Sequence, residues 1–464
     1  MTGERAQVRH RAAVERLRSS YAAIPPGSPV RLAKRTTNLF RPRAAMGGPG
    51  LDVSGLDGVL AIDPVTRTAE VQGMCTYEDL VAATLPHGLI PHVVPQLRTI
   101  TLGGAVSGLG IESTSFRNGL PHESVLEMDV FTGAGVVVTT RPGEDLFDAF
   151  ANSYGSLGYA TRLKIRLEQV PAHVGLRHVR FDDAGILAKT MAEITETGSH
   201  DGQRVDALDG VSFAPGEHYL TLARWLGDGE LAESGQLTPS DYTGQEVFYR
   251  SVQQRGSAGQ GSDLLTMHDY LWRWDTDWFW CSAAFGAQHP VARRFWPRRW
   301  RRSDVYQRLL GLDHRLQIAD RLDRRAGRPL RERVVQDIEV PLERLEEFLA
   351  WFDAEVGMRP VWLCPLRAQR DWPTYPLAPG ETYVNVGFWG TVHVGPDAPQ
   401  GPVNRAVEAK VHELGGHKSL YSEAYYDRET FDRLYAGEHL AAVKQTYDPD
   451  DRLTNLYDKA VRHR

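Results

Sequence analysis

Residues 99–120, T-I-T-L-G-G-A-V-S-G-L-G-I-E-S-T-S-F-R-N-G-L, combine closely spaced glycines with hydroxyl side chains. Glycine lets a backbone approach a ligand without a Cβ in the way and adopt positive φ. Successive free N–H groups form a nest for anionic oxygens, and nearby hydroxyls add donors. This chemistry suits a pyrophosphate, although composition alone also fits a surface loop. The residues that we expect to hold the anionic group are Thr101, Gly103, Gly104, Ser107, Gly108, Gly110, Ile111, Ser113 and Gly119.

The elements after this loop follow a recognisable order. Residues 125–140 predict two short strands joined at a Gly-Ala-Gly turn. Residues 145–151 then predict a helix, and a second glycine turn leads into an alternating strand that ends near residue 168. Before the loop, residues 59–63 and 68–73 predict a strand pair, and residues 76–85 predict a helix with Thr76 as its N-cap.

This succession of motifs resembles the FAD-binding domain of vanillyl-alcohol-oxidase-like (PCMH-type) flavoproteins. The shared motifs are T-x-G-G, then G-L…E-M-x-V-x-T-x-x-G, then D-L-F…G-S-L-G…T-x-x-x-x-L. Several motifs in the right order are more specific than a lone glycine motif. The resemblance implies that Gly155, Gly158 and Tyr159 of the second turn also bind the cofactor.

The resemblance also implies an α+β fold in which a two-part FAD-binding domain carries an inserted substrate (cap) domain. Past Pro171 the pattern predicts separated strands and helices, which we interpret as an antiparallel sheet with helices on it. The predicted strands cover residues 176–181, 203–213, 219–225, 334–340, 361–364 and 383–388. We expect the FAD-binding domain at residues 1–174, the cap domain at 175–415, and a C-terminal segment returning to the flavin site at 416–464.

Composition narrows the functional classes. The chain has 464 residues and a net charge of −6, which gives no support for nucleic-acid binding. Its three cysteines have no C-x-x-C spacing and leave one unpaired, so we expect a reducing, cytoplasmic compartment. No apolar run approaches the roughly 18 residues of a membrane span, which leaves peripheral contact with the inner face of the cell membrane. No spacing of paired ligands predicts a metal site.

Basic residues mark two further segments. Residues 10–23 predict a basic amphipathic helix stopped by Pro25 and Pro26. Residues 31–43 offer many donors for phosphates, and we assign residues 34–38 to the cofactor, with a solvated basic turn as the alternative.

Tryptophan is concentrated beside arginine in the second half of the chain. Six of the 11 tryptophans precede or interleave with the arginine-rich residues 293–302. Tryptophan favours membrane interfaces and arginine can meet anionic headgroups, so these residues predict peripheral membrane contact. A buried aromatic cluster beside a solvated basic helix explains the same pattern. The six residues are Trp272, Trp274, Trp278, Trp280, Trp296 and Trp300.

Segments of the C-terminal half point to a smaller family within these flavoproteins. Residues 360–365, P-V-W-L-C-P, together with residues 420–435 and 110–120, resemble segments of the Δ24-sterol reductase family. Arginine outnumbers lysine, as in GC-rich bacterial genomes, and similar actinobacterial proteins reduce 10-methylene fatty-acyl chains of phospholipids to 10-methyl chains. The resemblance implies non-covalent FAD, NADPH as a transient donor, a lipid substrate and a lipid methyltransferase as a partner. A sterol is the alternative substrate.

Reducing an isolated alkene requires an acid. No carbonyl accepts electrons, so one carbon must be protonated while the other receives hydride. The resemblance implies that the returning C-terminal segment lines the flavin, where potential donors lie at residues 417–426. Our candidate catalytic residues are Glu423, Tyr425, His417 and, in the central loop, Glu112.

Two other functions fit the same FAD-binding motifs. One is a flavin oxidase or dehydrogenase acting on a sugar or polyol. The other is a non-catalytic flavin-binding partner of a lipid methyltransferase.

Overall fold

The structure, a computed structural model, describes residues 3–34, 40–41, 48–233, 238–244, 246–257, 261–316 and 329–463. Within these ranges it contains two antiparallel sheets, a small hairpin and helices that cover the sheets. The predicted α+β class is confirmed. Of the basic turn assigned to the cofactor, Lys34 is described, and residues 35–38 lie outside the described residues.

The first sheet follows the order β1-β2-β6-β4-β5, with β3 paired to β6. The predicted hairpin of β1 and β2 and the Gly-Ala-Gly turn between β4 and β5 are both confirmed. The central strand β6 pairs with β2 on one side and with β4 on the other. The strands are β1 Val59–Asp63, β2 Thr68–Gln72, β3 Leu89–Pro91, β4 Val125–Phe131, β5 Val137–Thr140 and β6 Tyr159–Gln169.

One predicted helix start around the first sheet is confirmed, and another is corrected. Thr76 accepts a hydrogen bond from the Asp79 N–H at 3.1 Å, which confirms the predicted N-cap. The N-terminal helix starts seven residues earlier than predicted, at Gly3, and ends before the two prolines. These helices are α1 Gly3–Ala22, α2 Tyr77–Thr84, α3 Leu102–Gly108, α4 Ser115–Asn118 and α5 Asp145–Phe150.

The second sheet is larger and follows the order β12-β7-β11-β10-β14-β15-β13-β16. All strand pairs of this sheet in the described part of the chain are antiparallel. The chain enters this sheet at His173, four residues after leaving the first sheet at Gln169. Its strands are β7 His173–Phe181, β10 Ala207–Ala214, β11 Glu217–Leu226, β12 Ser262–Thr266, β13 Leu330–Pro341, β14 Val361–Leu366, β15 Tyr383–Val394 and β16 His417–Lys418. The separate hairpin pairs β8 Ser199–His200 with β9 Gln203–Arg204.

Helices cover one face of the second sheet. Val334, Ile338 and Val340 of β13 pack with Phe348 and Phe352 in a buried cluster on this face. The helix after Pro341 begins with a 3₁₀ turn and continues as α12 to Glu355. Helices of this half are α6 Ala184–Thr197, α7 Asp228–Glu233, α8 Phe248–Ser257, α9 Met267–Trp272, α10 Pro290–Phe295, α11 Ser303–Leu316, α12 Leu345–Glu355 and α13 Pro402–Glu413.

The other face of the second sheet packs toward the first sheet. Trp362, Leu366 and Tyr383 share one buried cluster with Leu102 and Phe150 of the FAD-binding half. The C-terminal helices α14 Arg428–Leu434, α15 Gly437–Tyr447 and α16 Leu456–Ala460 return to that half, where α15 packs on α5. The division at residues 174 and 415 stays a prediction. Short 3₁₀ helices span Leu85–His87, Pro121–Ser124, Cys281–Phe285, Arg298–Trp300 and Leu342–Arg344.

The tryptophan-rich segment is mostly interior. Trp272, Trp274, Trp278 and Trp280 are buried, whereas Trp300 is 49% exposed. These four side chains therefore cannot contact a membrane surface, and they form the aromatic cluster that was the alternative interpretation. Among the described helices, none is both long and apolar enough to cross a membrane.

Candidate active site

One cavity of about 320 Å³ lies between the two halves of the molecule. The glycine loop and α3 form one wall, together with the second glycine turn. Strands β13, β14 and β15 of the second sheet contribute to the opposite wall, along with Trp278 and Phe279. The cavity therefore joins a glycine-rich end to an aromatic end.

The glycine-rich end contains most of the residues that the sequence analysis assigned to a cofactor. Thr101 is the N-cap of α3, and its hydroxyl accepts a hydrogen bond from the Gly104 N–H at 3.3 Å. A Cβ on Gly103 would lie 2.7 Å from the Gly73 carbonyl oxygen, so only glycine allows these two backbones to approach. The predicted residues that line the cavity are Thr101, Gly103, Gly104, Ser107, Gly108, Gly110, Ile111, Gly155, Gly158 and Tyr159.

The second turn closes the same end. Gly155 and Gly158 have φ of 74° and 139°, which other residues rarely adopt. The Lys459 ammonium donates to the carbonyl oxygens of Tyr154 and Gly155 at 3.1 and 2.7 Å. The C-terminal helix α16 thus holds the turn and places a cation at the cavity wall.

Two predicted cofactor residues do not line the cavity. Ser113 is fully buried, and its hydroxyl lies 2.8 Å from the Tyr270 hydroxyl. Gly119 has φ of 70°, and a Cβ there would overlap the Glu123 carboxylate. Both residues follow the part of the loop that faces the cavity, and their local requirements explain their types without a ligand.

The cavity fits FAD by charge and by unsatisfied polar atoms. Arg31, Lys34 and Arg41 line it, and cations there complement the negative pyrophosphate. Burial lowers the pKa of Lys34, which an anionic ligand would reverse. Gln96 Nε2 and Asn385 Oδ1 are buried in the cavity wall, and neither atom has a hydrogen-bond partner among the residues that the structure describes. A ligand with both donors and acceptors, such as a flavin nucleotide, would satisfy them.

The opposite end is aromatic. Phe40 stacks on Trp278 with ring centroids 5.6 Å apart, and Phe279 packs on Trp389 at 4.3 Å. Trp362 also lines the cavity. Apolar walls of this kind bind an apolar substrate and exclude water from it.

A carboxylate faces this aromatic end. Asp337 on β13 lines the cavity and accepts a hydrogen bond from Asn385 Nδ2 at 3.1 Å. The Tyr421 hydroxyl also donates to it, and the Trp389 indole N–H in turn donates to Tyr421 at 3.0 Å. Burial raises the pKa of Asp337 to about 6, against the opposing effect of the hydrogen bonds from Asn385 and Tyr421.

Space for this carboxylate depends on a glycine. Gly387 lies opposite Asp337 in the register of β13 and β15. A Cβ on Gly387 would lie 2.5 Å from Asp337 Oδ1 and 2.6 Å from the Trp389 ring. Any larger residue would therefore displace the acid or the indole beside it.

None of the four catalytic candidates from the sequence lines the cavity. His417 is enclosed by Tyr375 and Tyr435, and burial lowers its pKa to about 3, which leaves it neutral. Glu112 lies in a buried cluster 3.4 Å from Arg273, and burial raises its pKa to about 7. These two residues therefore lack access to a ligand in the cavity.

The other two candidates lie past the point where the C-terminal segment leaves the cavity. The Tyr425 ring packs under the Arg405 guanidinium at 4.8 Å, and the Glu423 carbonyl oxygen accepts a hydrogen bond from Lys418 Nζ. Within residues 417–426, the segment expected to hold the proton donor, Ser419 and Tyr421 line the cavity.

Sequence reasoning missed Asp337, although a signal was present. The predicted strand at 334–340 reads V-V-Q-D-I-E-V, and its apolar residues Val334, Ile338 and Val340 face the helices. Asp337 and Glu339 therefore share the opposite face, since side chains alternate along a strand. Two carboxylates on one face of a strand whose opposite face packs in an apolar cluster indicate a functional site.

Comparison with known proteins identifies the glycine-rich half. Residues 20–141 match the family described as an FAD binding domain. A 124-residue stretch, 26% of this chain, is 37% identical to 22% of cytokinin dehydrogenase 2 from Oryza sativa subsp. japonica.

Most of the chain is similar to reductases. The chain is 24% identical over 445 residues to the Delta(24)-sterol reductase of Arabidopsis thaliana, covering 89% of this chain and 77% of the relative. It is also 24% identical over 429 residues to the Homo sapiens Delta(24)-sterol reductase, covering 87% and 77%. The protein is an FAD-dependent oxidoreductase with a PCMH-type FAD-binding domain, similar to sterol reductases over most of its length.

Proposed function

We propose that this enzyme saturates a carbon–carbon double bond in a lipid. The observation that carries the proposal is the position of Asp337, a carboxylate at the aromatic end of the cavity whose other end fits FAD. The sequence similarity to Delta(24)-sterol reductases supports the same reaction class.

The chemistry requires a proton at one alkene carbon and a hydride at the other. When bound, reduced FAD would supply the hydride. Asp337 would supply the proton, because burial raises its pKa to about 6, so that a larger fraction of its carboxyl groups is protonated near neutral pH than for an exposed aspartate. An apolar substrate in the cavity displaces water and raises that pKa further. The hydrogen bonds from Asn385 and Tyr421 fix the orientation of the carboxyl group.

The aromatic wall assists the same step. Protonating a methylene carbon places positive charge on the neighbouring tertiary carbon. The faces of aromatic rings attract cations, and Phe279, Trp362 and Trp389 provide such rings around the cavity. After transfer, the substrate has gained one proton and one hydride, and Asp337 regains its proton from water.

The substrate that we favour is a 10-methylene fatty-acyl chain of a phospholipid, reduced to the 10-methyl chain with NADPH as the transient electron donor. Two observations support this substrate. The motifs of this chain resemble those of the bacterial enzymes of branched fatty acid biosynthesis, and the apolar cavity accepts an acyl chain. We place the enzyme in the cytoplasm, at the inner face of the membrane, acting after a lipid methyltransferase. A Δ24-sterol is the alternative substrate, which the names of the relatives favour.

Lipid mass spectrometry of a host that makes the methylene lipid, with and without this chain, tests the substrate. We expect the 10-methyl lipid only when the chain is present. Purified protein is then reduced with NADPH and mixed with methylene phospholipid, a Δ24-sterol or a polyol. If only the sterol reoxidises the enzyme, the substrate is a sterol and not the methylene phospholipid. Aerobic turnover of the polyol would indicate an oxidase. Failure of NADPH to bleach the flavin would favour a non-catalytic flavin-binding partner.

A further inference from the structure

Exposed apolar side chains are concentrated on one short segment, which we call the 291–300 patch. Seven large hydrophobic side chains are exposed in the described part of the chain, and three of them belong to this segment. Val291 is 60% exposed, Phe295 is 78% exposed and Trp300 is 49% exposed. Clustered exposure of this kind marks an interaction surface, whereas single exposed apolar residues are ordinary.

The patch is held firmly from beneath. Arg293 is buried and pairs with Asp277 at 2.7 Å. Arg301 is also buried and donates to the carbonyl oxygens of Gly244 and Trp296. These contacts tie both ends of the segment to the protein interior. The outward direction of the patch residues is therefore a property of the fold.

Positively charged side chains lie on the same segment as the exposed apolar residues. Arg294, Arg298 and Arg299 are exposed on the same segment. Arg298 forms a solvent-exposed ion pair with Asp241 at 3.5 Å, and Arg299 lies 5.9 Å from the Trp300 ring centre. This local positive charge contrasts with the net charge of −6 of the chain.

We propose that the 291–300 patch docks the enzyme on an anionic phospholipid surface. Phe and Trp side chains insert at the boundary between headgroups and acyl chains, and arginines contact the anionic headgroups. The segment preceding the patch supplies Trp278 and Phe279 to the cavity wall, so docking would hold the cavity near the source of lipid. The choice of a lipid surface rests on the proposed lipid substrate.

A second copy of the chain fits the patch less well. A symmetric contact would place the patch against its own copy. Arg294, Arg298 and Arg299 would then face the same arginines, and like charges repel. An anionic surface instead complements Arg294 and Arg299, whereas Arg298 is already paired with Asp241.

Vesicle binding by the full-length, FAD-loaded protein tests the proposal. We compare vesicles of phosphatidylcholine with vesicles of equimolar phosphatidylcholine and phosphatidylglycerol. The wild type should bind the anionic vesicles more tightly, and salt should weaken that binding. R294S/R299S should lose about fivefold in affinity per arginine on anionic vesicles. F295S/W300S should lose at least about tenfold, since it removes the inserted apolar area.

The matched control is I186S/R433S, which removes one exposed apolar and one exposed basic residue elsewhere. It should bind vesicles as the wild type does. Equal losses in the control and in the patch variants, or wild-type affinity in both patch variants, would overturn the proposal. So would equal wild-type affinity for the two vesicle types. Self-association that the patch variants abolish, without vesicle binding, would assign the patch to a dimer instead.

A parallel assay separates this proposal from the proposed function. With methylene phospholipid dispersed in detergent, the patch variants should reduce the lipid at the wild-type rate, because these residues lie outside the cavity. On anionic vesicles their rate should fall with their binding. If detergent-dispersed lipid is not reduced although vesicle binding depends on the patch, the proposed substrate is wrong and the docking surface stands. If the lipid is reduced but vesicle binding does not depend on the patch, the proposed function stands and the docking surface is wrong.

Discussion

Replacing Asp337 by Asn should separate the two half-reactions of the enzyme. The substitution keeps the size of the side chain and removes the acidic proton. An amide at this position cannot protonate an alkene, so reoxidation of reduced D337N by lipid should slow by about 10²–10⁴-fold, the usual contribution of a general acid. FAD binding and reduction by NADPH should remain, since Asp337 lies at the aromatic end of the cavity.

The same substitution should stabilise the protein at high pH. Burial raises the pKa of Asp337 from 3.8 to about 6, which means that the folded state binds the proton more tightly than the unfolded state. The resulting penalty is absent below pH 3.8, grows between pH 3.8 and 6, and is complete above pH 6. Two pKa units correspond to about 3 kcal/mol. D337N should therefore raise the free energy of unfolding at pH 8 by up to about 3 kcal/mol, and by little near pH 4.

Stopped-flow absorbance of the flavin measures both half-reactions, and urea unfolding of the FAD-free protein at pH 4 and pH 8 measures stability. In the wild type, lipid-dependent reoxidation should fall as the pH rises above the pKa of Asp337, which is about 6 without ligand and higher with lipid bound. The fall should approach tenfold per pH unit, since only protonated Asp337 can act. D337N should lack that pH dependence.

Glu339 provides the matched control, because it is a buried carboxylate on the same face of β13 that does not line the cavity. Burial also raises the pKa of Glu339 well above its ordinary value. E339Q should therefore stabilise the protein at high pH and leave reoxidation intact. Wild-type reoxidation in D337N, or an equal loss in E339Q, would refute Asp337 as the acid.

Other perturbations test the surroundings of the acid and the cofactor end. G387A should slow lipid-dependent reoxidation at least about tenfold while retaining FAD, because its Cβ would displace the Asp337 carboxyl group. G395A, whose Cβ would enter open space, should reoxidise at the wild-type rate, and equal rates in the two variants would contradict the steric argument. Y421F should move the midpoint of the pH profile upward, since the lost hydrogen bond lowers the pKa of Asp337 in the wild type; an unchanged or lower midpoint contradicts this. G104V should purify with less FAD than the wild type, measured by flavin absorbance per protein; a fully loaded variant would contradict the assignment of the glycine loop to the cofactor. Acid denaturation of the wild type should release free FAD, and flavin retained on the chain would contradict non-covalent binding.

The glycine-rich end of the site could be predicted because its requirements are local. Gly155 and Gly158 occupy positive φ, and Thr101 caps α3 a few residues from the glycines that line the cavity. Such requirements leave patterns within a few residues of sequence. The same reasoning predicted the hairpin of β1 and β2 and the Thr76 cap.

The acid could not be located in this way, because it depends on contacts between distant residues. Asp337 meets Asn385 and Tyr421 only after β13 has paired with β15 and β16. Glu112 and His417 are equally plausible acids in the sequence, yet one lies beside Arg273, 161 residues away, and the other is sealed behind aromatic rings. Burial and charge partners decide which carboxyl group keeps a proton, and both arise from packing.

The tryptophan–arginine segment at residues 272–302 also shows what the sequence could predict and what it could not. Its composition identified an unusual region, but Trp274 and Trp300 are the same residue type at a similar distance from arginine in the sequence. The tertiary structure places Trp274 in the core, where its indole N–H donates to Asp209 at 3.0 Å, and leaves Trp300 at the surface. The sequence by itself determined where the glycine-rich loops lie. Only the packing of one sheet against the other decided which carboxyl group faces the cavity and which aromatic rings face solvent, since those properties belong to neighbours that are remote along the chain.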